Sequence, residues 1–246
     1  MDTVKFSIKN YWNWRSNSFG HDSDKSSAIA DRWESIIKEL ASQAPGLRAL
    51  DIGTGTGQLA VYLARSGFNV TGIDLADKMI SSAKRYAESQ MLNIDFHTGD
   101  AEELEFGDNS FDIVVTRNLL WTLPRPDKAL KEWRRVLKPD GKLIVCDGFW
   151  LNTTWKRIHH LAYKILKGIF SNRSLVSLRF FLSYAGVQRS LPLYEGISFE
   201  KINSLLNAAC FRHIQSYDTC CLDFYPYGKI KWDGNEPSFF IAHAKK

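Results

Sequence analysis

The sequence has 246 residues, a formal net charge of +5 and 44% hydrophobic residues. A chain of this length is near the upper limit for one hydrophobic core, so we expect one domain with an appended lid. No apolar stretch approaches the roughly 20 residues of a membrane span, and the first residues lack the apolar core of a signal peptide. The four cysteines show neither metal-ligand spacing nor the density of a secreted scaffold. These features predict a cytoplasmic protein with reduced thiols and no metal site.

The chain opens with a polar segment, residues 1–27, that is too aromatic for a disordered tail. Its notable side chains are Tyr11, Trp12, Trp14, Arg15 and Phe19. Apolar residues at helical spacing follow over residues 29–40, and Pro45 with Gly46 ends that helix. We expect residues 1–27 to close over a ligand held by the rest of the chain.

The most informative stretch is a glycine-rich turn between a short apolar strand, residues 47–52, and an amphipathic helix, residues 58–66. It contains Gly53, Gly55 and Gly57. Glycine has no Cβ and tolerates positive φ, so a ligand can approach the backbone of such a turn. The start of the helix also directs free N–H groups towards that ligand. The pattern therefore predicts a nucleoside-like cofactor at the first turn of a doubly wound sheet.

Three acids follow three successive predicted strands. These strands cover residues 47–52, 69–73 and 94–99. Asp51, Asp74 and Asp100 stand at their ends, which is the edge where open α/β sheets bind ligands. Asp74, about 20 residues beyond the glycines, is placed to accept both ribose hydroxyls. Asp100 lies where an adenine amino group could donate to it.

The position of Asp51 favours one cofactor over another. This acid would bond inside the turn or reach an amine. It would repel a pyrophosphate at close range, whereas the ammonium of a methionine moiety would attract it. That favours S-adenosylmethionine over NAD. Two alternatives stay open: Gly55, Gly57 and Ala60 also fit the dinucleotide fingerprint, and short acids such as Asp51 can simply cap a turn.

Five motifs carry a family resemblance. They are Asp51-x-Gly53-x-Gly55-x-Gly57, Gly-Ile-Asp-Leu at 72–75, Gly-Asp-Ala-Glu at 99–102, Ser-Phe-Asp-Ile-Val-Val at 110–115 and Leu-Lys-Pro-Asp-Gly-Lys-Leu at 137–143. Together they resemble class I S-adenosylmethionine-dependent methyltransferases of the small-molecule, type 11 kind, typified by the ubiquinone/menaquinone C-methyltransferases. The resemblance covers about residues 28–147. Asp140 and Cys210 stand where the family usually has glycine, and the second puts the geometry of a helix end in doubt.

The resemblance implies roles for particular residues. Asp74 would bind the ribose, Leu75 and Met79 would flank the adenine, and Asp100 would meet its amino group. Arg15 would pair with the methionine carboxylate unless it forms only a surface salt bridge. The full set of candidate cofactor-binding residues is Asp51, Gly53, Thr54, Gly55, Gly57, Asp74, Leu75, Met79, Asp100, Ala101, Glu102, Arg117, Asn118, Tyr11 and Arg15.

Strands and helices alternate through the middle of the chain. Helices are predicted over residues 77–90, 126–137 and 198–209, and strands over 111–116, 142–146, 213–221 and 238–244. The alternation implies parallel pairing with right-handed crossovers, with the final strand antiparallel. The predicted fold is α/β, a doubly wound Rossmann-like sheet of seven mostly parallel strands with helices on both faces and a helical lid. The predicted parts are a lid segment (1–27), a cofactor-binding core (28–147), a basic helical insertion (148–195) and a C-terminal part (196–246).

The insertion is strongly basic. Residues 148–194 contain no acid and carry a formal charge of +7. The basic residues are Lys156, Arg157, Lys164, Lys167, Arg173, Arg179 and Arg189. Apolar residues at helical spacing over 155–169 predict a basic amphipathic helix, followed by a second helix near 175–182. The basic face is either plainly solvated, a lid over a lipophilic or anionic acceptor, or a patch that rests on an anionic membrane. RNA binding is disfavoured, since no RNA-binding module is recognised.

These patterns predict methyl transfer to a small molecule. Placement of the acceptor can supply most of the acceleration, and a general base is needed only if the acceptor loses a proton. Candidate bases are His21, His159, His160 and Tyr194, each more simply a surface or packing residue. Residues 116–121 lack the Asn-Pro-Pro-Tyr motif of amino-directed nucleic-acid methyltransferases, so we expect no nucleic-acid partner. Arg117, Asn118 and Trp121 should line the methionine end, although Trp121 could instead pack under the lid. The alternatives are an NAD-dependent oxidoreductase and a non-catalytic S-adenosylmethionine-binding protein.

Overall fold

The computed structural model describes residues 2–16, 27–148, 172–219 and 239–246. The helices are α1 (Thr3–Arg15), α2 (Ser27–Ala41), α3 (Gln58–Arg65), α4 (Asp77–Ser89), α5 (Pro126–Val136), α6 (Asn172–Tyr184) and α7 (Phe199–Ala208). The strands are β1 (Arg48–Ile52), β2 (Asn69–Asp74), β3 (Asp95–Thr98), β4 (Phe111–Arg117), β5 (Leu137–Gly148), β6 (Arg212–Tyr217) and β7 (Phe239–Lys245).

The strands form one seven-stranded sheet in the order β3-β2-β1-β4-β5-β7-β6. The first five strands of this order pair in parallel, and β7 runs antiparallel to both β5 and β6. Strand order reverses at β1, since the chain moves from β1 outwards to β3 and returns on the other side with β4. The predicted doubly wound, mostly parallel sheet is confirmed, including the antiparallel final strand. The reversal leaves a crevice outside the carboxyl ends of β1 and β4, where such folds bind ligands.

Two apolar layers bury the two faces of the sheet. On one face α5 and α7 pack against it around the fully buried Trp133. On the other face α2, α3 and α4 pack around the fully buried Trp33. Central strands that are covered on both sides read as continuous apolar runs, and β4 is buried from Phe111 to Thr116. The layers hold the strand ends rigidly, so the ends of β1, β2 and β4 form a fixed base for a site.

Local chemistry explains how several elements end. Ser198 caps α7, because its Oγ accepts from the Lys201 backbone N–H at 3.2 Å. Asp140 and Cys210, which replace the usual glycines, adopt φ of +59° and +63°. Both therefore keep the left-handed backbone that glycine would supply, at a steric cost that Asp tolerates better than most residues. The helix end at Cys210 thus retains the expected geometry without the glycine.

The N-terminal segment forms a regular helix, which its polar composition did not indicate. Asp2 caps α1 by accepting from the Val4 N–H at 3.2 Å. Lys5, Ile8 and Tyr11 are buried on one side of this helix. α6 overlaps the second helix predicted for the insertion, whereas the predicted basic helix over 155–169 lies outside the described residues. So do His21, His159, His160, Cys220 and Cys221. No helix within the described ranges is long and apolar enough to cross a lipid bilayer.

Candidate active site

A cavity lies at the strand-order reversal. Its walls are the turn after β1, the ends of β2 and β3, the loop after β4 and one face of α1. Most of the predicted cofactor-binding residues thus meet in one place, although they come from positions spread over about half of the chain.

The glycine turn forms the floor of the cavity. Gly53, Gly55 and Gly57 adopt φ of +68°, +55° and +87°, which L-residues with a Cβ rarely adopt. A Cβ placed on Gly55 would meet no atom within 4 Å, so this side of the turn faces open space. Gly57, also a predicted cofactor ligand, caps α3 in the left-handed conformation but is not a lining residue, since a Cβ there would meet Ala83 at 3.1 Å and Phe96 at 3.2 Å. The backbone is therefore bare at the point where a ligand can lie against it.

Asp51 lies at the base of this turn and is almost fully buried. Its Oδ2 accepts from the Thr54 hydroxyl at 2.6 Å and from the Ala60 N–H at 3.1 Å. Burial raises the pKa of Asp51 to about 6, against the lowering effect of these hydrogen bonds and of the nearby Arg117. Of the two roles predicted for Asp51, the bonds inside the turn are the ones present, and the carboxyl group also lines the cavity.

Asp74 ends β2 and faces the same cavity. Its Oδ2 accepts from the Gly55 N–H at 3.0 Å and its Oδ1 from the Ala76 N–H at 2.8 Å. Burial raises the pKa of Asp74 to about 6. A carboxylate offers about four lone-pair sites, so each oxygen keeps capacity for one more donor. Asp74 can thus accept from two neighbouring hydroxyls while it holds the turn in place.

Asp100 and Ala101 line the cavity beyond β3, with Leu75 and Met79 also in its wall. Met79 is buried in the first turn of α4. These apolar side chains beside one carboxylate form a slot that suits a flat, polar-edged ring. Glu102, in contrast, is fully buried and does not line the cavity.

Arg117 and Asn118 supply polar groups on the opposite side. The Arg117 guanidinium lies 4.9 Å from the ring centroid of Trp33 and donates a hydrogen bond to Gln58. Asn118 has φ of +58°, and its Oδ1 is buried without a hydrogen-bond partner in the described part of the chain. Buried polar atoms are nearly always paired. The Asn118 oxygen is therefore available to a donor on a ligand.

Tyr11, Trp12, Trp121, Phe180, Tyr184 and Tyr194 form a set of packed rings that we call the aromatic cluster. It joins α1, the 3₁₀ turn at Leu120–Thr122 and α6. Of its rings only Trp12 lines the cavity. Tyr11, a predicted cofactor ligand, lies behind Trp12 on the side of α1 that faces α6, with its ring centroid 5.3 Å from that of Tyr184. Trp121 packs in the cluster, which is the second of the two positions considered for it.

Two further candidates do not reach the cavity wall in the described structure. Arg15, in the last turn of α1, is not among its lining residues. Tyr194, a candidate base, is buried in the aromatic cluster. The described residues also contain no cluster of three or more His, Cys, Asp or Glu that could hold a metal ion. Among the described residues Tyr194 is the one candidate base, and its burial in the aromatic cluster keeps it away from a proton transfer at the cavity.

The sequence prediction missed two of the three cavity-lining residues on α1, Lys5 and Ile8, whereas Trp12 was already among the side chains named for the lid segment. Lys5, Ile8 and Trp12 project into the cavity from one face of the helix. Their spacing of three and four residues was the available signal, because such residues share a helix face. The polar character of the segment hid this pattern.

The fold and the cavity together are typical of an α/β domain with a nucleoside-like ligand at the strand-order reversal. Residues 50–145 match a family model described as a methyltransferase domain. A demethylmenaquinone methyltransferase of Renibacterium salmoninarum is 39% identical over 116 residues, which is 47% of each chain. A ubiquinone biosynthesis O-methyltransferase of Coxiella burnetii is 40% identical over 99 residues, 40% of this chain and 42% of that one. The chain therefore matches less than half the length of these curated relatives.

A solved structure of similar fold is an S-adenosylmethionine-dependent methyltransferase from Thermotoga maritima, with a TM-score of 0.56. It is 20% identical, and the match covers 96% of this chain and 99% of that one. The resemblance to class I S-adenosylmethionine-dependent methyltransferases is thus confirmed. Residues 50–145 thus match a methyltransferase domain, and the cofactor that these similarities support is S-adenosylmethionine.

Proposed function

We propose that the protein transfers a methyl group from S-adenosylmethionine to a small-molecule acceptor. The observation that supports this most strongly is the cavity itself, where the bare glycine turn, Asp74 and Asp100 meet at the strand-order reversal. When bound, the cofactor supplies a methyl group on a sulfonium that an acceptor displaces in line. The remaining task of the protein is to bind, to orient and to exclude water.

The residues present fit this cofactor. Asp74 can accept from the two ribose hydroxyls, because both of its oxygens keep free lone pairs. Asn118 offers an unpaired buried oxygen that suits the ammonium of a methionine moiety. The Arg117 cation lines the same end of the cavity and suits the carboxylate. This placement supports Arg117 for the role that the sequence suggested for Arg15.

Helix α1 supplies the covering wall. Ile8 and Trp12 close the cavity on the side away from the sheet. A closed, water-poor site favours a reaction in which the positive charge of the sulfonium is lost. This contact supports the proposal that residues 1–27 act as a lid.

The acceptor is proposed to be small and lipophilic. The aromatic cluster adjoins the cavity through Trp12, and its members, with Ile8, Val187 and Leu191, form an apolar body. The two relatives described above are named for menaquinone and ubiquinone biosynthesis. Both observations support a planar apolar acceptor of the quinone-precursor type.

Contact with an anionic membrane surface is proposed for the basic insertion. The support is the charge of +7 over residues 148–194, together with the exposed Leu182 on α6 of the insertion and the exposed Trp14 on α1. Basic residues near anionic lipid contribute about 1 kcal/mol each. Exchange of Lys156, Arg157, Lys164 and Lys167 for Glu should abolish salt-sensitive sedimentation with phosphatidylserine vesicles and leave cofactor affinity unchanged. Wild-type protein that ignores such vesicles would show the basic face to be plainly solvated.

The decisive experiment is turnover. Purified protein is mixed with methyl-labelled S-adenosylmethionine and a metabolite extract, and formation of S-adenosylhomocysteine and of a labelled product is measured. A labelled product supports the proposal. Tight cofactor binding without turnover of any extract fraction would favour a non-catalytic binding protein. Binding of NAD in place of S-adenosylmethionine would favour an oxidoreductase.

A further inference from the structure

Lys5 is a buried cation inside the cofactor cavity. Its Nζ lies 2.6 Å from Asp100 Oδ2 and 2.6 Å from Glu102 Oε2, and its side chain is 8% exposed. It comes from α1, whereas both acids follow β3, so the contact joins parts of the chain 95 residues apart. A lysine that loses its water in this way needs the two carboxylates in return.

The two carboxylates have different surroundings. Glu102 is fully buried and also accepts from the Arg125 N–H at 2.6 Å and from Arg125 Nε at 3.0 Å. Asp100 is 31% exposed and lines the cavity. Its Oδ1 accepts from the Glu102 N–H at 2.9 Å, and its Oδ2 bonds to Lys5. Both oxygens are thus held in place, yet each keeps lone-pair capacity towards the cavity.

We propose that Lys5 is a positioning residue that sets the recognition of adenine. It holds the Asp100 carboxylate oriented towards the ring, and it fastens α1 across the cavity by the same contact. The inference rests on the proposed function, because it takes the bound ring to be the adenine of an S-adenosyl compound. The recognition of one end of the cofactor is thereby coupled to the closure of the helix over it.

Electrostatics explain why the lysine is needed. Asp100 and Glu102 both lie 2.6 Å from one nitrogen and therefore lie close to each other. Without the ammonium these two charges would repel each other in a partly desolvated site. Asp100 would then turn towards water. In that position it would no longer accept from a hydrogen-bond donor on the ring.

The test compares two ligands. S-adenosylhomocysteine carries a donating amino group on its ring, and S-inosylhomocysteine carries a carbonyl oxygen at the same position. Titration calorimetry measures the discrimination ratio, which is the dissociation constant of S-inosylhomocysteine divided by that of S-adenosylhomocysteine. For Lys5→Met, we expect this ratio to fall by about tenfold to a hundredfold, the value of one charge-assisted hydrogen bond. Lys9→Met is the matched control, since Lys9 on the same helix pairs with the exposed Asp77 at 3.1 Å outside the cavity.

Two more variants separate positioning from a general effect on folding. Lys5→Arg keeps the cation and should keep the discrimination ratio within about threefold of wild type. In an Asp100→Asn background, Lys5→Met should change the ratio no further, because the lysine acts through that carboxylate. If Lys5→Met unfolds, Lys5→Gln carries the same expectation. Equal loss of affinity for both ligands, or no loss for either, would overturn the inference, whereas wild-type protein that binds neither ligand would refute the proposed function itself.

Discussion

Replacement of Asp74 by alanine tests the central assignment of the cofactor site. The side chain ends β2 and faces the cavity, with one backbone donor already on each oxygen. In the proposed complex the ribose hydroxyls donate to the remaining lone pairs. Asp74→Ala should therefore weaken the binding of both S-adenosylmethionine and S-adenosylhomocysteine.

The expected magnitude follows from the number of bonds. Two hydroxyls that donate to a carboxylate form charge-assisted hydrogen bonds of about 1.5–3 kcal/mol each. Their loss amounts to about 3–6 kcal/mol, or roughly a hundredfold to ten-thousandfold in the dissociation constant. The change also removes the acceptor of the Gly55 and Ala76 N–H groups, so the upper half of this range includes some loosening of the turn.

The assay is titration calorimetry with S-adenosylhomocysteine at about pH 7.5, where the carboxyl group is ionised. Asp77→Ala is the control for a general loss of negative charge. Asp77 lies three residues away with its side chain 55% exposed, and in the described structure it faces Lys9 rather than the cavity. We expect this control to bind as wild type does. An Asp74→Ala protein that binds within threefold of wild type would refute the ribose assignment.

Acidification should weaken cofactor binding, because burial raises the pKa of both Asp51 and Asp74 to about 6, and the ionised forms hold the glycine turn and, at Asp74, accept from the ligand. Calorimetry below about pH 6 should show affinity falling by up to about tenfold per pH unit for each proton taken up, and a flat profile would contradict this. Gly55→Ala should destabilise the fold by about 1–2 kcal/mol, since φ is +55°, and should reduce affinity further because the new methyl group enters the ligand's space. Thermal unfolding and calorimetry separate the two effects, and unchanged affinity would place the ligand elsewhere. Burial lowers the pKa of Lys142 from 10.5 to about 8. Between these two pH values the unfolded chain binds more protons at this residue than the folded chain does, so the free energy of unfolding should rise with pH. Lys142→Met should remove that rise and stabilise the protein by about 1 kcal/mol near pH 7, net of the lost bond to Gln43, and a lower melting temperature would contradict the expectation.

The central elements of the fold could be predicted because their signals are local. The apolar run before Gly53 and the amphipathic helix after Gly57 lie next to the turn that joins them, and β1 and α3 form where that pattern places them. Ser198 is read as a helix cap from its own chemistry, and its Oγ makes the capping bond. Asp140 keeps the backbone of the glycine that it replaces. Each of these depends on a few neighbouring residues and on steric rules that hold in any protein.

The covering wall of the cavity could not be predicted in the same way. Lys5 reads as an ordinary surface residue in a polar segment, and it is buried because Asp100 and Glu102 stand opposite α1 in the folded chain. Tyr11 was assigned to the cofactor for its aromatic character, but the rotation of α1 directs Trp12 to the cavity and Tyr11 to α6. A helix with polar and apolar residues on several sides does not reveal which side is covered.

Residue patterns alone were sufficient for the class of fold, the glycine turn and the three acids at strand ends, because parallel strands place their carboxyl ends at one edge whatever lies around them. They also favoured S-adenosylmethionine as the cofactor through the five family motifs, whereas the Asp51 side chain forms its bonds inside the turn. Folding of the whole chain was needed to bring α1 against β3, to pair β7 between β5 and β6, and to bury the cation of Lys5 between two acids. These contacts join residues far apart in sequence, and their free energy depends on burial and on charges that no local segment contains.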